Sequence, residues 1–206
     1  AKEGGSDPNF NPRLRLAIEK AKAGNMPKDI LERAIKKGSG ELEGVDFTEM
    51  RYEGYGPAGT AFIVEAVTDN KNRTASEMRM TFTRKDGNLG ADGAVSWMFK
   101  KKGIITVKSE GIDMDEFMMA ALEAGAEDVE ETDGVFEVTT EYTEFQTVLE
   151  NLKNAGYQYE EAEISMIPEN TVEITDLETA KKVMALYDAL EDLDDSQNVY
   201  SNFDIP

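Results

Sequence analysis

Apolar side chains near the start of the chain recur with the helical period of three to four residues. They lie at Leu14, Ala17, Ile18 and Ala21, and again at Ile30, Leu31, Ala34 and Ile35. Proline opens each stretch, at Pro12 and Pro27, and glycine closes it, at Gly24 and Gly38. We therefore expect two short helices joined by a tight turn.

The period changes to two after a polar, glycine-rich stretch at residues 39–44, which we interpret as a linker. Residues 50–55 and 60–68 are rich in aromatic and β-branched side chains and are predicted to be strands. The turn residues of segment 56–59 join them. A mixed region of helix and sheet therefore follows the helical start.

A third helix is predicted to begin near Arg73, because the short polar side chains of residues 70–72 can cap its first turn. Ala75, Met78 and Phe82 recur at helical spacing and define its buried stripe. Gly87 is expected to end it.

A glycine-rich loop, residues 87–93, separates this helix from a segment in which Val95, Trp97 and Phe99 alternate. Alternation is typical of a strand, and large aromatics at such spacing are usually buried. We therefore predict a strand at 95–99 and place Trp97 in the core, as we do Phe82. A further strand at 104–107 follows a lysine turn at 100–102.

From residue 113 the pattern restarts as helix, strand, strand, helix, strand. The predicted elements are 115–124, 127–131, 135–139, 143–154 and 157–166. Asp133-Gly134 is a hairpin turn. A final strand, helix and strand, at 171–174, 177–193 and 198–203, has no partner of its own. The simplest architecture is an α+β fold in which helices cover one face of an antiparallel sheet, used twice.

Charge is distributed unevenly. Residues 1–40, 41–108 and 109–206 carry net charges of +4, 0 and −24, within a total of −20. Such asymmetry suggests a basic end that meets a polyanion and an acidic body that does not. An acidic surface that only confers solubility is the alternative for the second half.

The chain has neither cysteine nor histidine. This excludes a Ser-His-Asp or Cys-His nucleophile and disfavours a zinc site. The glycine loop follows a helix and precedes a strand, the wrong order for a dinucleotide fingerprint, and neighbouring acids such as Glu130 and Glu131 point to opposite faces of a strand. We therefore predict a non-enzymatic protein without cofactor or metal. Absent cysteines suit the cytoplasm, and no apolar run is long enough to span a membrane.

Arginine and lysine side chains are the remaining candidates for a functional site. The candidate nucleic-acid-binding residues are Arg13, Arg15, Lys20, Lys22, Lys28, Arg33, Lys36, Lys37, Arg73, Arg79, Arg84 and Lys85. Two alternatives compete with this interpretation. Lysines in a last helical turn also stabilise the helix dipole, and the arginines after residue 70 could pair with the acidic module instead.

Several spaced motifs carry a resemblance. They are Asn11-Pro12-Arg13-Leu14-Arg15, Asn25-Met26-Pro27-Lys28-Asp29, residues 32–38, residues 52–57, Asp69 to Thr74, Gly87-Asn88-Leu89-Gly90, Val95-Ser96-Trp97-Met98-Phe99 and Ile167-Pro168-Glu169-Asn170. Their order resembles the YebC/PmpR family of probable transcriptional regulatory proteins, which is related to the mitochondrial translational activator of cytochrome oxidase. Family members usually start with a further Lys-rich helix, so we expect this chain to be truncated or processed.

The resemblance implies a short basic helical domain, residues 1–46, followed by two ferredoxin-like α+β domains. The acidic one, 109–168, would be inserted into a discontinuous middle domain, 47–108 plus 169–206. Members are described as ribosome-associated translation factors that relieve stalling at consecutive prolines, and as DNA-binding transcriptional regulators. The expected partner is therefore ribosomal RNA or duplex DNA. An acidic module that binds a protein is a further alternative.

Overall fold

The computed structural model describes residues 1–41 and 46–206. Within these ranges the α-helices are Pro12–Ala23 (α1), Lys28–Gly38 (α2), Lys71–Arg84 (α3), Met114–Ala124 (α4), Phe145–Asn154 (α5) and Leu177–Glu191 (α6). The strands are Thr48–Tyr55 (β1), Ala61–Thr68 (β2), Asn88–Leu89 (β3), Phe99–Lys108 (β4), Asp128–Thr132 (β5), Val135–Glu141 (β6), Tyr159–Pro168 (β7), Val172–Glu173 (β8), Ser196–Ser201 (β9) and Phe203–Asp204 (β10). The chain divides into two compact units: Ala1–Glu49 with Val67–Lys71, and Met50–Ala66 with Asn72–Pro206.

The first unit contains the two predicted helices. The side chain of Asn11 accepts a hydrogen bond from the Leu14 amide at 3.1 Å, so α1 begins with a side-chain cap before its proline. Leu14 is the one buried residue of α1, and α2 buries none. Both helices form where the apolar spacing predicts them. Most of the residues in the two apolar stripes nevertheless stay partly exposed in the described structure.

The second unit holds a four-stranded sheet with the order β3-β1-β2-β9. Strand β9 returns from the end of the chain to pair antiparallel with β2, and this gives the unpartnered C-terminal segment its place. Helices α3 and α6 pack on one face through a shared apolar cluster that includes Phe62, Met78, Phe82 and Leu186. The other face is covered by residues 94–99 and by Met166.

A second four-stranded sheet has the order β5-β6-β4-β7, with every neighbouring pair antiparallel. In chain order β4, α4, β5, β6, α5 and β7 form the βαββαβ unit of the ferredoxin-like fold. Strand β4 pairs with β7 over residues 99–107 and with β6 over residues 102–108, so it belongs to this sheet. Lys100 to Lys102 accordingly lie in this strand and not in a turn.

Phe82 is fully buried, as predicted, but the placement of Trp97 in the core is wrong because 69% of it is exposed. Ser96–Met98 forms a short 3-10 helix where a strand was expected. The turn rotates the indole away from the sheet, while its neighbours Val95 and Phe99 are buried. The end of α3 also differs, since Asp86 and not Gly87 adopts the left-handed conformation, with φ of 58°.

The α+β class is confirmed by these helices and antiparallel sheets. Residues 42–44 of the predicted linker lie outside the described residues. The division into three domains, with one inserted in another, stays a prediction. None of the helices in the described ranges is long and apolar enough to cross a membrane.

Replacing Phe62 by alanine is expected to lower the free energy of unfolding by about 3–5 kcal/mol. The ring is fully buried and meets Phe82 edge to face, with centroids 6.3 Å apart. Urea titration followed by circular dichroism measures the change. Leu177→Ala is the control, because that side chain is 69% exposed and its loss should cost within about 0.5 kcal/mol. Equal costs would contradict this description of the core.

Candidate nucleic-acid interface

Helix α1 carries the first group of predicted cations, and several of them have partners inside the first unit. Arg13 contacts Glu49 at 2.8 Å and Glu3 at 3.4 Å. Arg15 and Lys20 also take part in interactions within the structure. Lys22 is exposed and has no carboxylate partner among the described residues. The four residues therefore do not form a bare basic surface.

The basic residues of α2 also differ in whether they have partners in the described structure. Lys28 lies 3.7 Å from Glu32, one turn away, and Lys37 stacks over the ring of Phe47 at 4.9 Å. Arg33 and Lys36 are exposed, without a carboxylate partner in the part of the chain that the structure describes. Exposed ion pairs of this kind contribute about 0–1 kcal/mol, so phosphate could replace their carboxylates at small cost.

Arg73, at the start of α3, is held internally. Its guanidinium donates to both oxygens of Asp195, at 2.9 and 3.0 Å, and the Thr74 hydroxyl donates to the same carboxylate at 2.6 Å. Asp195 is buried and precedes β9. The predicted alternative of internal pairing therefore applies to Arg73, although its partner comes from the C-terminal segment and not from the acidic module.

The outer face of α3 differs from the rest. Arg79, Arg84 and the adjacent Lys85 are exposed, and none has a carboxylate partner within residues 1–41 and 46–206. Together with Ser76, Met80 and Thr83, the two arginines line a shallow open depression. Buried Met78 and Phe82 fix the opposite side of the helix against the sheet. We call the surface formed by Ser76, Arg79, Met80, Thr83, Arg84 and Lys85 the α3 outer face.

The three lysines at the start of β4 are mostly engaged. Lys102 contacts Glu127 at 2.6 Å and Glu141 at 2.5 Å, and these hydrogen bonds raise its pKa. Lys100 pairs with Glu169 at 2.7 Å. Lys101 lies 5.3 Å from the ring centre of Tyr142. Lys102 is therefore committed to the acidic module, whereas Lys100 and Lys101 make weaker surface contacts.

Sequence reasoning missed Glu53, a buried carboxylate in β1. Its Oε2 accepts hydrogen bonds from the amides of Val95 and Ser96, at 3.0 and 3.1 Å. Burial by itself would raise the pKa of Glu53, but these hydrogen bonds outweigh that effect and hold it below its usual value. No local pattern distinguishes this glutamate from others in strands, because its partners lie more than 40 residues away.

Sequence reasoning also missed Lys181 and Lys182 in α6, which are exposed and have no carboxylate partner among the described residues. Because α3 and α6 cover the same sheet face, their exposed sides point the same way. In the described ranges no group of three or more histidine, cysteine, aspartate or glutamate side chains is placed to hold a metal ion. The structure thus brings Arg79, Arg84 and Lys85 together, and leaves the cations of the first unit as a separate set.

Two protein-family models match this chain. A family model described as TACO1/YebC protein N-terminal domain matches residues 1–41, and one described as TACO1/YebC second and third domain matches residues 47–203. The chain belongs to the TACO1/YebC family. The resemblance drawn from its motifs is confirmed, and these two matched ranges run through nearly the whole chain.

Relatives of this TACO1/YebC chain include a probable transcriptional regulatory protein of Fusobacterium nucleatum, 97% identical over all of this chain and 83% of the relative. One from Geobacter sulfurreducens is 56% identical, over 100% of this chain and 82% of the relative. The crystal structure of a conserved hypothetical protein from Aquifex aeolicus matches with a TM-score of 0.89 and 52% identity, covering 98% of this chain and 84% of that one. The names of the two relatives refer to regulation and not to a reaction, which is consistent with a non-enzymatic protein.

Replacing Glu53 by glutamine is expected to lower the free energy of unfolding at pH 7 by about 1–3 kcal/mol, because two buried amides lose a charged acceptor. The folded-state pKa lies below the usual 4.5, so the carboxylate stabilises the fold above that pH and ceases to do so as pH falls through the folded-state value. Urea titrations of both proteins between pH 7 and pH 3 should therefore converge at the acidic end. A constant difference at every pH would contradict the role of the charge.

Proposed function

We propose that this protein is a non-enzymatic, nucleic-acid-binding regulator of gene expression that acts on the ribosome as a translation factor and relieves stalling, for example at consecutive prolines. The observation that carries the nucleic-acid part is the α3 outer face, where three cations have no carboxylate partner among the described residues of a chain of net charge −20. Ribosomal RNA is the expected ligand. The resemblance to translation factors supplies the ribosomal part.

The shape of the α3 outer face suits a phosphate backbone. Arg79 and Arg84 are five residues apart, which corresponds to about 7.5 Å along a helix axis and about 140° around it. Both line the same depression, so they could contact phosphates on its two sides. Guanidinium groups also match phosphate oxygens in a bidentate manner. The open depression between them would admit an extended polymer more readily than a small molecule.

The cations of the first unit are a second, separate set of candidate phosphate contacts. Lys22, Arg33 and Lys36 are exposed and have no described carboxylate partner, and Arg13 and Lys28 have only surface partners. Surface partners exchange readily with phosphate, because exposed pairs gain little from their mutual attraction. Arg73 is left out of the proposed interface, since its bidentate contact with buried Asp195 supports the fold.

A DNA-binding transcriptional regulator is the second candidate, because the names of the two relatives refer to transcriptional regulation. The α3 outer face would then contact the backbone of a duplex, without a recognition helix of known type to read base edges. A third candidate is a protein-binding acidic module. The side of the second sheet opposite α4 and α5 carries Glu130, Glu137 and Glu161, which favours a basic partner if that face is used.

We expect this chain to bind ribosomes more tightly than duplex DNA, with a logarithmic affinity that falls steeply and linearly with logarithmic salt concentration. Co-sedimentation with ribosomes, and fluorescence anisotropy with labelled structured RNA and duplex DNA of matched length, measure this between about 50 and 300 mM salt. Over this range the Debye length shortens by roughly 2.4-fold. Stronger binding to duplex DNA would support the transcriptional candidate. Binding to none of them would leave the protein-binding module.

The double variant Arg79→Glu with Arg84→Glu is expected to weaken RNA binding about tenfold or more at moderate salt and to reduce the salt slope by about 1 to 2, because two phosphate contacts are lost. Its control is Lys108→Glu with Lys153→Glu, which changes net charge equally but lies in β4 and α5. Circular dichroism verifies that both variants fold. Equal loss in the two variants would mean that only total charge matters, which would contradict the assignment of the α3 outer face.

A further inference from the structure

Trp97 is the only tryptophan of the chain, and 69% of it is exposed. Its indole N–H donates to the carbonyl oxygen of Ala94 at 3.1 Å. The polar edge of the ring is therefore satisfied within the protein, and what the side chain offers to a ligand is its flat π surface. Exposing so large an apolar ring costs free energy in water, which a bound partner would recover.

The support beneath this ring is rigid. Glu53, itself buried, binds the amides of Val95 and Ser96, and the Tyr55 hydroxyl donates to the Ala94 carbonyl at 3.1 Å. On the other side of the turn, the amide of Glu169 donates to the Met98 carbonyl at 2.8 Å. The buried carboxylate of Glu53 therefore fixes the turn, and Trp97 is the one large side chain of this turn that is exposed. Such preorganisation lowers the entropy cost of binding.

Other groups suited to nucleic acid follow in the chain. Lys101 is four residues beyond Trp97, which places their Cα atoms at most about 14 Å apart. Its ammonium group stacks on Tyr142, a second exposed aromatic ring. Lys100 is exposed and has only the surface carboxylate of Glu169 as a partner. Lys100 and Lys101 are consecutive in β4 and point to opposite faces of the strand, so Lys100, through Glu169, is the cation connected to the turn. An aromatic ring beside a cation is typical of surfaces that bind single-stranded nucleic acid.

The immediate surroundings of Trp97 argue against a protein partner. Among residues 88–102, all of them described, it is the one large apolar side chain that is exposed. Its exposed neighbours before the turn are Gly90, Ala91, Asp92 and Gly93, and after the turn Lys100 and Lys101, so cations outnumber carboxylates. Protein interfaces instead centre on a contiguous apolar patch of several large side chains. A single flat ring beside cations matches a single nucleobase better.

We propose that Trp97 is a stacking platform for an unpaired nucleobase, with Lys100, whose partner Glu169 bonds the same turn, contacting an adjoining phosphate. This inference rests on the proposed nucleic-acid-binding function and deepens it. The α3 outer face and Trp97 lie on opposite faces of the β3-β1-β2-β9 sheet. The two surfaces would therefore engage different stretches of one RNA, one through its backbone and the other through a flipped or unpaired base.

The fluorescence of Trp97 tests this directly, because no other tryptophan contributes. Unstructured ten-nucleotide RNA and DNA strands, and duplexes of the same length, are titrated into the full chain at low salt. Stacking on a base should quench the emission with single strands and leave it nearly unchanged with duplexes. Comparison of the RNA and DNA strands shows which sugar the platform accepts. A blue shift without quenching would indicate an apolar contact and would overturn the proposal.

Two substitutions separate stacking from apolar contact. Trp97→Phe keeps an aromatic face, whereas Trp97→Leu keeps apolar bulk without one. By fluorescence anisotropy of labelled strands, Trp97→Leu should weaken single-strand binding about fivefold or more, and Trp97→Phe should weaken it less. Duplex binding should be unchanged in both. Because the side chain is exposed, both variants are expected to fold, and circular dichroism verifies this.

The outcomes distinguish this inference from the proposed function. Intact duplex and ribosome binding, with no quenching and no effect of Trp97→Leu, overturns the platform and leaves the function standing. Equal losses in Trp97→Leu and Trp97→Phe, confined to ribosomes, would also overturn it in favour of a protein contact. Absence of binding to every nucleic acid overturns both. Quenching by single strands, together with a larger loss of single-strand binding in Trp97→Leu than in Trp97→Phe, supports the platform.

Discussion

Strand β2 is buried on both faces, and much of the second unit follows from that constraint. Ala61, Phe62, Ile63 and Val64 are all fully buried, so neither side of the sheet can face water at this strand. One side is covered by α3 and α6, and the other by residues 94–99 with Met166. Both edges of β2 are also occupied, by β1 and by β9. A doubly covered strand of this kind forces distant segments of the chain to meet.

The two covers present different surfaces to solvent. Helix α3 has one buried side, which leaves the opposite side to carry Arg79 and Arg84. The second cover is a turn and not a helix, and a turn needs partners for its backbone amides. Glu53 supplies them from within the sheet, and in doing so fixes the turn that exposes Trp97. A cationic surface and an aromatic one thus arise as the outer sides of the same core.

Charge in this protein is organised mainly by local pairing. Arg13, Arg73 and Lys102 each pair with carboxylates. These three contacts differ greatly in how far they are buried. Arg73 faces a buried carboxylate and has a structural role, whereas exposed pairs contribute little and can exchange their partners. Net charge by itself therefore says little about where a polyanion would bind. The distribution of cations without a carboxylate partner among the described residues is the more informative quantity, and these cations lie on α3, on α6 and in the first unit.

The sequence by itself determined the elements whose causes are local. The cap at Asn11, the turn at Asp133-Gly134 and the buried stripe of α3 depend on residues within a few positions, and the motifs sufficed to indicate the family. The tertiary structure decided what depends on distant partners. It placed β4 in the second sheet, paired Arg73 with Asp195, and turned Trp97 outward through Glu53. Alternation along a strand cannot reveal such contacts, because hydrogen bonds and burial between distant segments form only once the chain has folded.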